Sequence, residues 1–312
     1  MVLRKPLQQG YFGRVSASDR PAKAELPFYD EYNFEYNIIK FLNSQSKSKM
    51  ARKNFPSSRT IVFITGANQG IGLEIGTALS NLEDYHVILG SRSSENGEAA
   101  VKTLLERNCS RSVSTITIDV SSDISIASAA NTVFEEFGRI DVLINNAGIL
   151  IEDPDTPVVA RDLFEKTFAV NVFGAAACTE AFIPLLEKST ALPPRLIFIS
   201  SRMGSLTTRA DPASHNNFPI YRSSKSALNM IMLHYATKFG PKGWKVNSCA
   251  PGFTKTSFGG FIKGGKDGDA TGTYLAKAGS VEDASIEAVK FATAGVEGVS
   301  GTYSSKEGVL PW

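Results

Sequence analysis

A phenol, an ammonium group and a hydroxyl stand in this sequence where they could share one proton-transfer reaction. Tyr221 and Lys225 are four residues apart in a helical pattern, so their side chains lie on one helix face. A free tyrosine, with a pKa of about 10, is a poor base at neutral pH, and a nearby ammonium group stabilises its phenolate. Such a pair can protonate the alkoxide that forms when a hydride adds to a carbonyl. Ser201, at the end of a strand-like run, can hydrogen-bond the same oxygen.

The surroundings of these residues separate them from chance matches. A second pair at the same spacing, Tyr36 and Lys40, lies upstream of any strand pattern, and we interpret it as accidental. Ser200 is the alternative to Ser201 at the end of the same strand. No G-x-S-x-G elbow surrounds either serine, which argues against a serine hydrolase.

A glycine-rich turn, Thr65 to Gly72, joins the first predicted strand to a predicted helix. Glycines permit a tight turn and close backbone approach, so a dinucleotide pyrophosphate can sit against the free N–H groups of the new helix. Three residues separate the first two glycines, unlike the G-x-G-x-x-G form. The predicted contacts are Gly66, Asn68, Gly70, Ile71 and Gly72.

The second predicted strand ends in Ser91 and Arg92, where a domain that prefers NAD commonly has an acidic residue. An arginine suits a ribose 2′-phosphate instead. The sequence therefore favours NADP(H), with NAD(H) as a possible cofactor.

From Thr60 onward, apolar strand-like runs alternate with segments of helical length, which is typical of a parallel sheet covered on both faces. The predicted strands lie near 60–65, 86–90, 113–118, 141–145, 195–200, 244–249 and 301–303. The predicted helices lie near 71–82, 95–108, 123–137, 159–187, 219–239 and 281–294. We therefore predict an α/β fold, a doubly wound (Rossmann) parallel seven-stranded sheet, as a single domain over residues 58–312.

Residues 1–57 are predicted to be an N-terminal extension, flexible or docked. Of 33 Lys and Arg and 31 Asp and Glu, ten and five lie in residues 1–55, so that segment carries +5 and the rest −3. The body therefore suggests no nucleic-acid partner. One alternative is that the basic start of this extension is an organelle-targeting sequence. A second alternative is that natural translation begins at Met50.

Composition also argues against several other classes of protein. Cys109, Cys178 and Cys249 lie far apart, so we predict neither a disulfide framework nor a metal site. No apolar run approaches the roughly 20 residues of a membrane helix, so no membrane span is predicted. These features favour a cytoplasmic enzyme.

Further motifs, in order along residues 58–312, give the chain a resemblance to the short-chain dehydrogenase/reductase family. The glycine turn is similar to the family's TGxxxGxG motif, Asp119 to its adenine-contacting aspartate, and Asn145 to Gly148 to its NNAG strand end. Asn171, followed by Gly174, resembles the helix that supplies a catalytic asparagine. The later stretch with Asn247, Pro251, Gly252, Thr254 and Thr256 resembles the loop that closes over nicotinamide.

The resemblance implies a role for each candidate. Tyr221 would be the general acid/base, Ser201 would polarise the carbonyl, Lys225 would lower the pKa of Tyr221 and hold the nicotinamide ribose, and Asn171 would anchor a water in the proton relay. Gly204 follows Ser201 by three residues, as in the family, and this favours Ser201 over Ser200. The cofactor contacts implied beyond the glycine turn are Arg92, Asp119, Asn145, Asn146, Ala147, Tyr221, Lys225, Phe253 and Thr254.

Two segments are expected to shape the substrate pocket. Thr207 to Phe218 lengthens the distance between Ser201 and Tyr221 beyond the family's usual spacing, and Phe253 to Gly272 is predicted to be a mobile lid.

The ending from Gly301 to Trp312 resembles the carbonyl-reductase-like branch. We therefore expect an NADPH-dependent oxidoreductase that converts a ketone or aldehyde to an alcohol, or the reverse, as a monomer or homo-oligomer. The alternatives are a catalytically silent dinucleotide-binding regulator and an isomerase or dehydratase on the same fold.

Overall fold

The computed structural model describes residues 58–107, 112–152, 159–191, 193–214, 217–254, 256, 258 and 278–312. The strands are β1 (Thr60–Ile64), β2 (Tyr85–Ser91), β3 (Val113–Thr117), β4 (Val142–Asn145), β5 (Arg195–Ile199), β6 (Lys245–Cys249), β7 (Thr302–Ser305) and β8 (Gly308–Val309). The α-helices are α1 (Gly70–Ser80), α2 (Ser94–Glu106), α3 (Asp123–Phe137), α4 (Arg161–Phe168), α5 (Ala175–Leu186), α6 (Leu206–Ala210), α7 (Pro219–Phe239) and α8 (Val281–Ala292). A π-helical segment, Ala169–Gly174, joins α4 to α5, and 3-10 turns lie at Arg202–Gly204 and Gly240–Lys242.

The strands form one sheet in the order β3-β2-β1-β4-β5-β6-β7-β8. The first seven pair in parallel, which confirms the predicted α/β fold, and β8 pairs antiparallel with β7. The predicted count of seven strands was therefore one short. Because β8 has only two residues, both exposed, it leaves no alternating pattern in the sequence.

The strand order reverses between β1 and β4. The chain runs from β1 outward through β2 to β3, then crosses back to place β4 on the other side of β1. Ligands of open α/β sheets bind outside the carboxyl ends of the strands at such a reversal. The glycine turn after β1 and the Asn-rich turn after β4 both lie at this point.

Helices cover both faces of the sheet. Alternate residues of each strand point to opposite sides, so each face presents side chains that a helix can bury. On one face, Val62 and Ile64 of β1 belong to a buried cluster with Ile75 of α1 and Phe291 of α8. On the other face, the ring of Phe63 lies 4.6 Å from that of Phe182 in α5, measured between centroids. Every residue of β1 is buried, as expected for a strand enclosed on both faces.

The predicted helix over 159–187 is a continuous helical stretch from Arg161 to Leu186, with the π segment at its middle. It is long and apolar enough to cross a membrane, and over the described residues it alone meets that test. Just over half of its most apolar window is buried inside the structure, and the core helix of a globular protein has the same property.

Several sequence predictions fall partly or wholly outside the described residues. These are the extension over 1–57 and most of the lid predicted over 253–272. Within the predicted insertion over 207–218, the described part includes most of α6, and residues 215–216 lie outside it.

Candidate active site

Three elements bring the four predicted catalytic residues to the carboxyl edge of the sheet. Ser201 is the second residue after β5, Tyr221 and Lys225 lie in the first two turns of α7, and Asn171 lies in the π segment. The Ser201 hydroxyl accepts a hydrogen bond from the Met203 N–H at 3.2 Å and lies within hydrogen-bonding reach of the Tyr221 hydroxyl. The fold thus closes the 20-residue separation between Ser201 and Tyr221.

The Tyr221 phenol lies in an apolar setting. Leu150, Phe218 and Met203 pack around it, and the ring of Phe258 meets its ring edge-on at 5.8 Å between centroids. Burial raises the pKa of Tyr221 above its ordinary value, and the hydrogen bond with Ser201 acts in the opposite direction. The phenol therefore holds its proton at neutral pH in this structure.

Lys225 is buried beside Tyr221. Its Nζ donates a hydrogen bond to the Ile199 carbonyl at 2.9 Å and lies 5.6 Å from the centroid of the Tyr221 ring. Burial lowers the pKa of Lys225 to about 8, while the nearby Cys249 thiol raises it. Burial dominates the shift in the pKa of Tyr221 in this structure, and the lowering of that pKa by Lys225 stays a prediction.

The two serines at the end of β5 have different surroundings. Ser200 is buried, and its hydroxyl has no hydrogen-bond partner within the described part of the chain. Ser201 is the serine within reach of Tyr221. Gly204 lets the turn after Ser201 lie directly on α7, since a Cβ there would come within 2.8 Å of the Lys225 carbonyl carbon.

The Asn171 carboxamide connects the segment after β4 to α7. Its Oδ1 accepts from the Ile149 N–H at 2.7 Å, and its Nδ2 donates to the Ile149 carbonyl at 2.9 Å and to the Ser224 hydroxyl at 3.1 Å. A Cβ on Gly148 would contact both the Asn171 Oδ1 and the Lys225 Nζ, so these two side chains face one small space. The water relay through Asn171 stays a prediction.

The glycine turn is braced by the Asn-rich turn after β4. The Thr65 hydroxyl accepts from the N–H groups of Asn146 and Ala147, both at 3.0 Å. The Asn146 Nδ2 donates to the carbonyls of Thr65 and Gly66. Gly66 has a φ of +62°, and a Cβ there would lie 2.9 Å from the Ala147 Cα, so the two turns require glycine for their close approach.

Asn145 also has a structural role, because its Nδ2 donates a hydrogen bond to the Thr179 hydroxyl at 2.9 Å. The side chains of Asn145 and Asn146 thus hold the turn in place, a role that sequence reasoning missed. Their predicted contact with the cofactor stays a prediction.

The residues of the glycine turn fit a bound pyrophosphate. No side chain of the described residues caps the start of α1, and no acidic residue lies in its first turn. By contrast, α2, α3 and α8 are each capped by the serine that precedes them. The free N–H groups and positive end of α1 therefore point to where phosphate oxygens would lie.

Arg92, just after β2, and Asp119, just after β3, lie near each other at the carboxyl ends of these neighbouring strands. Arg92 is exposed just beyond β2. Hydrogen bonds from the Ser121 hydroxyl and N–H lower the pKa of Asp119, and the charge of Arg92 lowers it further. A cation thus stands at the sheet edge where a ribose phosphate would approach.

Phe253 and Thr254 lie at the start of the predicted lid, and both pair with Gly279. The Phe253 carbonyl accepts from the Gly279 N–H at 2.9 Å, and Thr254 forms a parallel bridge with the same residue. The two ends of the intervening segment are therefore held together.

Two further residues contact the site and were missed by sequence reasoning. The Tyr303 hydroxyl donates to the Ser201 carbonyl at 2.6 Å, and the Glu152 carboxylate accepts from the N–H groups of Ile220 and Tyr221. Each contact joins residues more than 60 positions apart, and no local spacing signals such a pair.

The chain belongs to the short-chain dehydrogenase family, whose model matches residues 60–264. This family consists of oxidoreductases that bind NAD(P). The chain is similar to short-chain dehydrogenase anuI of Penicillium roqueforti, with 39% identity over 208 residues, covering 65% of this chain and 82% of that protein. It is also similar to short-chain dehydrogenase/reductase ATR10 of Stachybotrys chlorohalonatus, with 35% identity over 271 residues, covering 82% of this chain and 95% of that protein.

Two solved structures share the fold. A gluconate 5-dehydrogenase from Burkholderia cenocepacia, in complex with NADP and tartrate, has 20% identity and a TM-score of 0.65, covering 80% of this chain and 96% of its own. Salutaridine reductase from Papaver somniferum has 24% identity and a TM-score of 0.63, and the match covers 80% of this chain and 100% of the reductase chain.

Proposed function

We propose that this chain is an NADPH-dependent oxidoreductase that reduces a ketone or aldehyde to an alcohol, with Tyr221 as the proton donor. The observation that carries the proposal is the contact between the Ser201 and Tyr221 hydroxyls beside the buried Lys225, at the same sheet edge as the uncapped α1. When bound, the nicotinamide supplies the hydride.

The side chains of the site account for the proton and the orientation of the substrate. Ser201 hydrogen-bonds the substrate carbonyl oxygen, which makes the carbonyl carbon more electrophilic. Tyr221 then gives its hydroxyl proton to the alkoxide oxygen that develops there. At neutral pH Tyr221 is in its protonated form, which is the form that reduction requires.

The ammonium group of Lys225 lies close enough to oppose the charge that Tyr221 acquires when it loses its proton. We propose that Lys225 also holds the nicotinamide ribose. Leu150, Met203 and Phe258 surround the phenol with apolar surface, so we expect an apolar carbonyl substrate to be preferred over a charged one of equal size.

The cofactor preference is tested by measuring the Kd of NADPH and NADH by fluorescence in the wild type and in Arg92→Asp. We expect the substitution to weaken NADPH binding at least tenfold, because it replaces a cation by an anion at the 2′-phosphate, and to leave NADH binding nearly unchanged. Arg107→Asp, at the other end of α2, makes the same charge change about 20 Å away and serves as the control. Equal loss of NADPH binding in both variants would contradict the assignment of Arg92.

The reaction is tested by offering aldehydes and ketones to the wild type and to Tyr221→Phe, with NADPH oxidation as the readout. We expect Tyr221→Phe to bind NADPH normally and to lose at least 100-fold in kcat, since a proton donor contributes 10²–10⁴-fold. Reduction at an unchanged rate by Tyr221→Phe would overturn the role of Tyr221. Product formation with no net oxidation of NADPH would instead indicate an isomerase or dehydratase.

A further inference from the structure

The helix that carries Tyr221 begins without a capping side chain of its own. Phe218 stands at its N-cap position in a left-handed backbone conformation, with φ 57° and ψ 50°, and it has no side-chain acceptor. Pro219 follows as the first helical residue and has no N–H. The first N–H groups of α7 that need an acceptor are therefore those of Ile220 and Tyr221.

Glu152 supplies both acceptors from a distant part of the chain. Its Oε1 accepts from the Ile220 N–H at 3.0 Å, and its Oε2 accepts from the Tyr221 N–H at 2.6 Å. The side chain is only 7% exposed, so its charge is shielded little by water. A carboxylate in this position also interacts favourably with the positive end of the helix dipole.

The segment that bears Glu152 is held at its other end as well. Asn171 bonds to both the N–H and the carbonyl of Ile149, and its amide also reaches the Ser224 hydroxyl in α7. Between these two attachments, Leu150 packs against the Tyr221 ring. Residues 149–152 thus bind the start of α7 directly through Glu152, and they are linked to Ser224 of α7 through Asn171.

We propose that Glu152 is a positioning residue that fixes the start of α7, and with it the Tyr221 hydroxyl, for proton transfer. The proposal rests on the proposed function, in which Tyr221 is the proton donor. Glu152 acts through the backbone of Tyr221 and needs no contact with substrate. Because the glycine turn and Arg92 lie on other elements, loss of Glu152 should reduce the rate of proton transfer much more than it weakens NADPH binding.

The kinetic test compares Glu152→Ala and Glu152→Gln with the wild type, at a temperature where all three are folded. We expect kcat to fall about 100-fold in Glu152→Ala, since a displacement of about 1 Å at a reacting group can cost that much. Glu152→Gln keeps one acceptor oxygen, so its loss should be smaller. The Kd of NADPH should rise in both variants by much less than kcat falls.

Asp141→Asn is the matched control. Asp141 is also a buried carboxylate that accepts from backbone N–H groups, those of Ile61, Thr190 and Ala191, but it lies at the amino edge of the sheet. We expect Asp141→Asn to lower Tm with kcat nearly unchanged. Equal losses of kcat in Asp141→Asn and Glu152→Ala would show a general effect of destabilisation and overturn the proposal, as would an unchanged kcat in Glu152→Ala.

A second readout does not depend on activity. Amide hydrogen exchange in the cofactor-free protein should be at least tenfold faster at Ile220 and Tyr221 in Glu152→Ala, with α8 unchanged. Unaltered exchange at these two amides would overturn the role of Glu152. A wild type that protects these amides and binds NADPH, but reduces no carbonyl, would overturn the proposed function and the positioning role together.

Discussion

Lys225 illustrates how burial alters the chemistry of a single residue. Its ammonium group donates a hydrogen bond to the Ile199 carbonyl, and desolvation lowers its pKa to about 8. The same apolar setting moves Tyr221 in the opposite sense, because burial disfavours the charged form of either group. The pair thus approaches a state in which the phenol is protonated and the amine can release its proton at mildly alkaline pH.

The lowered pKa predicts how Lys225→Met changes stability with pH. Between pH 8 and about 10.5 the Lys225 amine is protonated in the unfolded chain and neutral in the folded chain. Below pH 8 it is charged in both states, so the free-energy cost of burying the charge is largest there and declines as the pH rises above 8. Lys225→Met should therefore increase the free energy of unfolding most at pH 7 and by clearly less at pH 10. Urea denaturation at the two pH values measures this difference.

Lys238→Met is the control for that experiment, because Lys238 is exposed on the same helix. Lys238→Met removes one exposed positive charge from that helix, so it shows how much of the change comes from net charge alone. A stabilisation by Lys225→Met that does not change with pH would contradict the assigned pKa.

At the scale of elements, the site depends on how closely the turn after β5 lies on α7. Gly204 permits this approach, since a Cβ there would meet the backbone and the Cβ of Lys225 at 2.8–2.9 Å. The Tyr303 hydroxyl holds the same turn from the β7 side through the Ser201 carbonyl. The relative position of Ser201 and Tyr221 is thus a property of packing between elements.

Gly204→Ala should separate this turn from α7. We expect a loss of about 1–3 kcal/mol in the free energy of unfolding, as for other overpacked sites, and a roughly tenfold or greater fall in kcat. Gly295→Ala is the control, because a Cβ on Gly295 would meet no atom within 4 Å. Denaturation and steady-state kinetics measure both effects, and wild-type kcat in Gly204→Ala would show that this contact does not set the geometry of the site.

At the scale of the whole molecule, the reversal of strand order brings three distant segments together. The glycine turn after β1, the Asn-rich turn after β4 and the start of α7 come from residues 65–72, 145–148 and 219–225. A ligand that spans them would be bound by the folded chain and by no local fragment. Cofactor binding should therefore be linked to global stability.

NADPH at a free concentration of 100 times its Kd should raise the free energy of unfolding by about 2.7 kcal/mol. NADH at the same concentration should give a smaller increase, if Arg92 binds the 2′-phosphate. Chemical denaturation with each cofactor measures the two values, and Tyr221→Phe should show the same increase as the wild type. Equal stabilisation by NADPH and NADH would argue against a preference for NADPH.

The features that the sequence alone determined are those encoded by local spacing. The parallel sheet followed from apolar runs that alternate with helical segments, the glycine turn from its position between a strand and a helix, and the Tyr221–Lys225 pair from the helical repeat. The family followed from motifs in the correct order, and the match over residues 60–264 confirms it.

Only the tertiary structure decided the features that depend on distant contacts. Glu152 reaches the start of α7 across 68 residues, Tyr303 reaches Ser201 across 102, and neither distance leaves a periodic signal. The upward shift in the pKa of Tyr221 belongs to the same group, because desolvation depends on every element packed around the phenol. Spacing along the chain determines which residues share a helix face or a strand end, whereas folding determines which buried groups meet and how much water they lose.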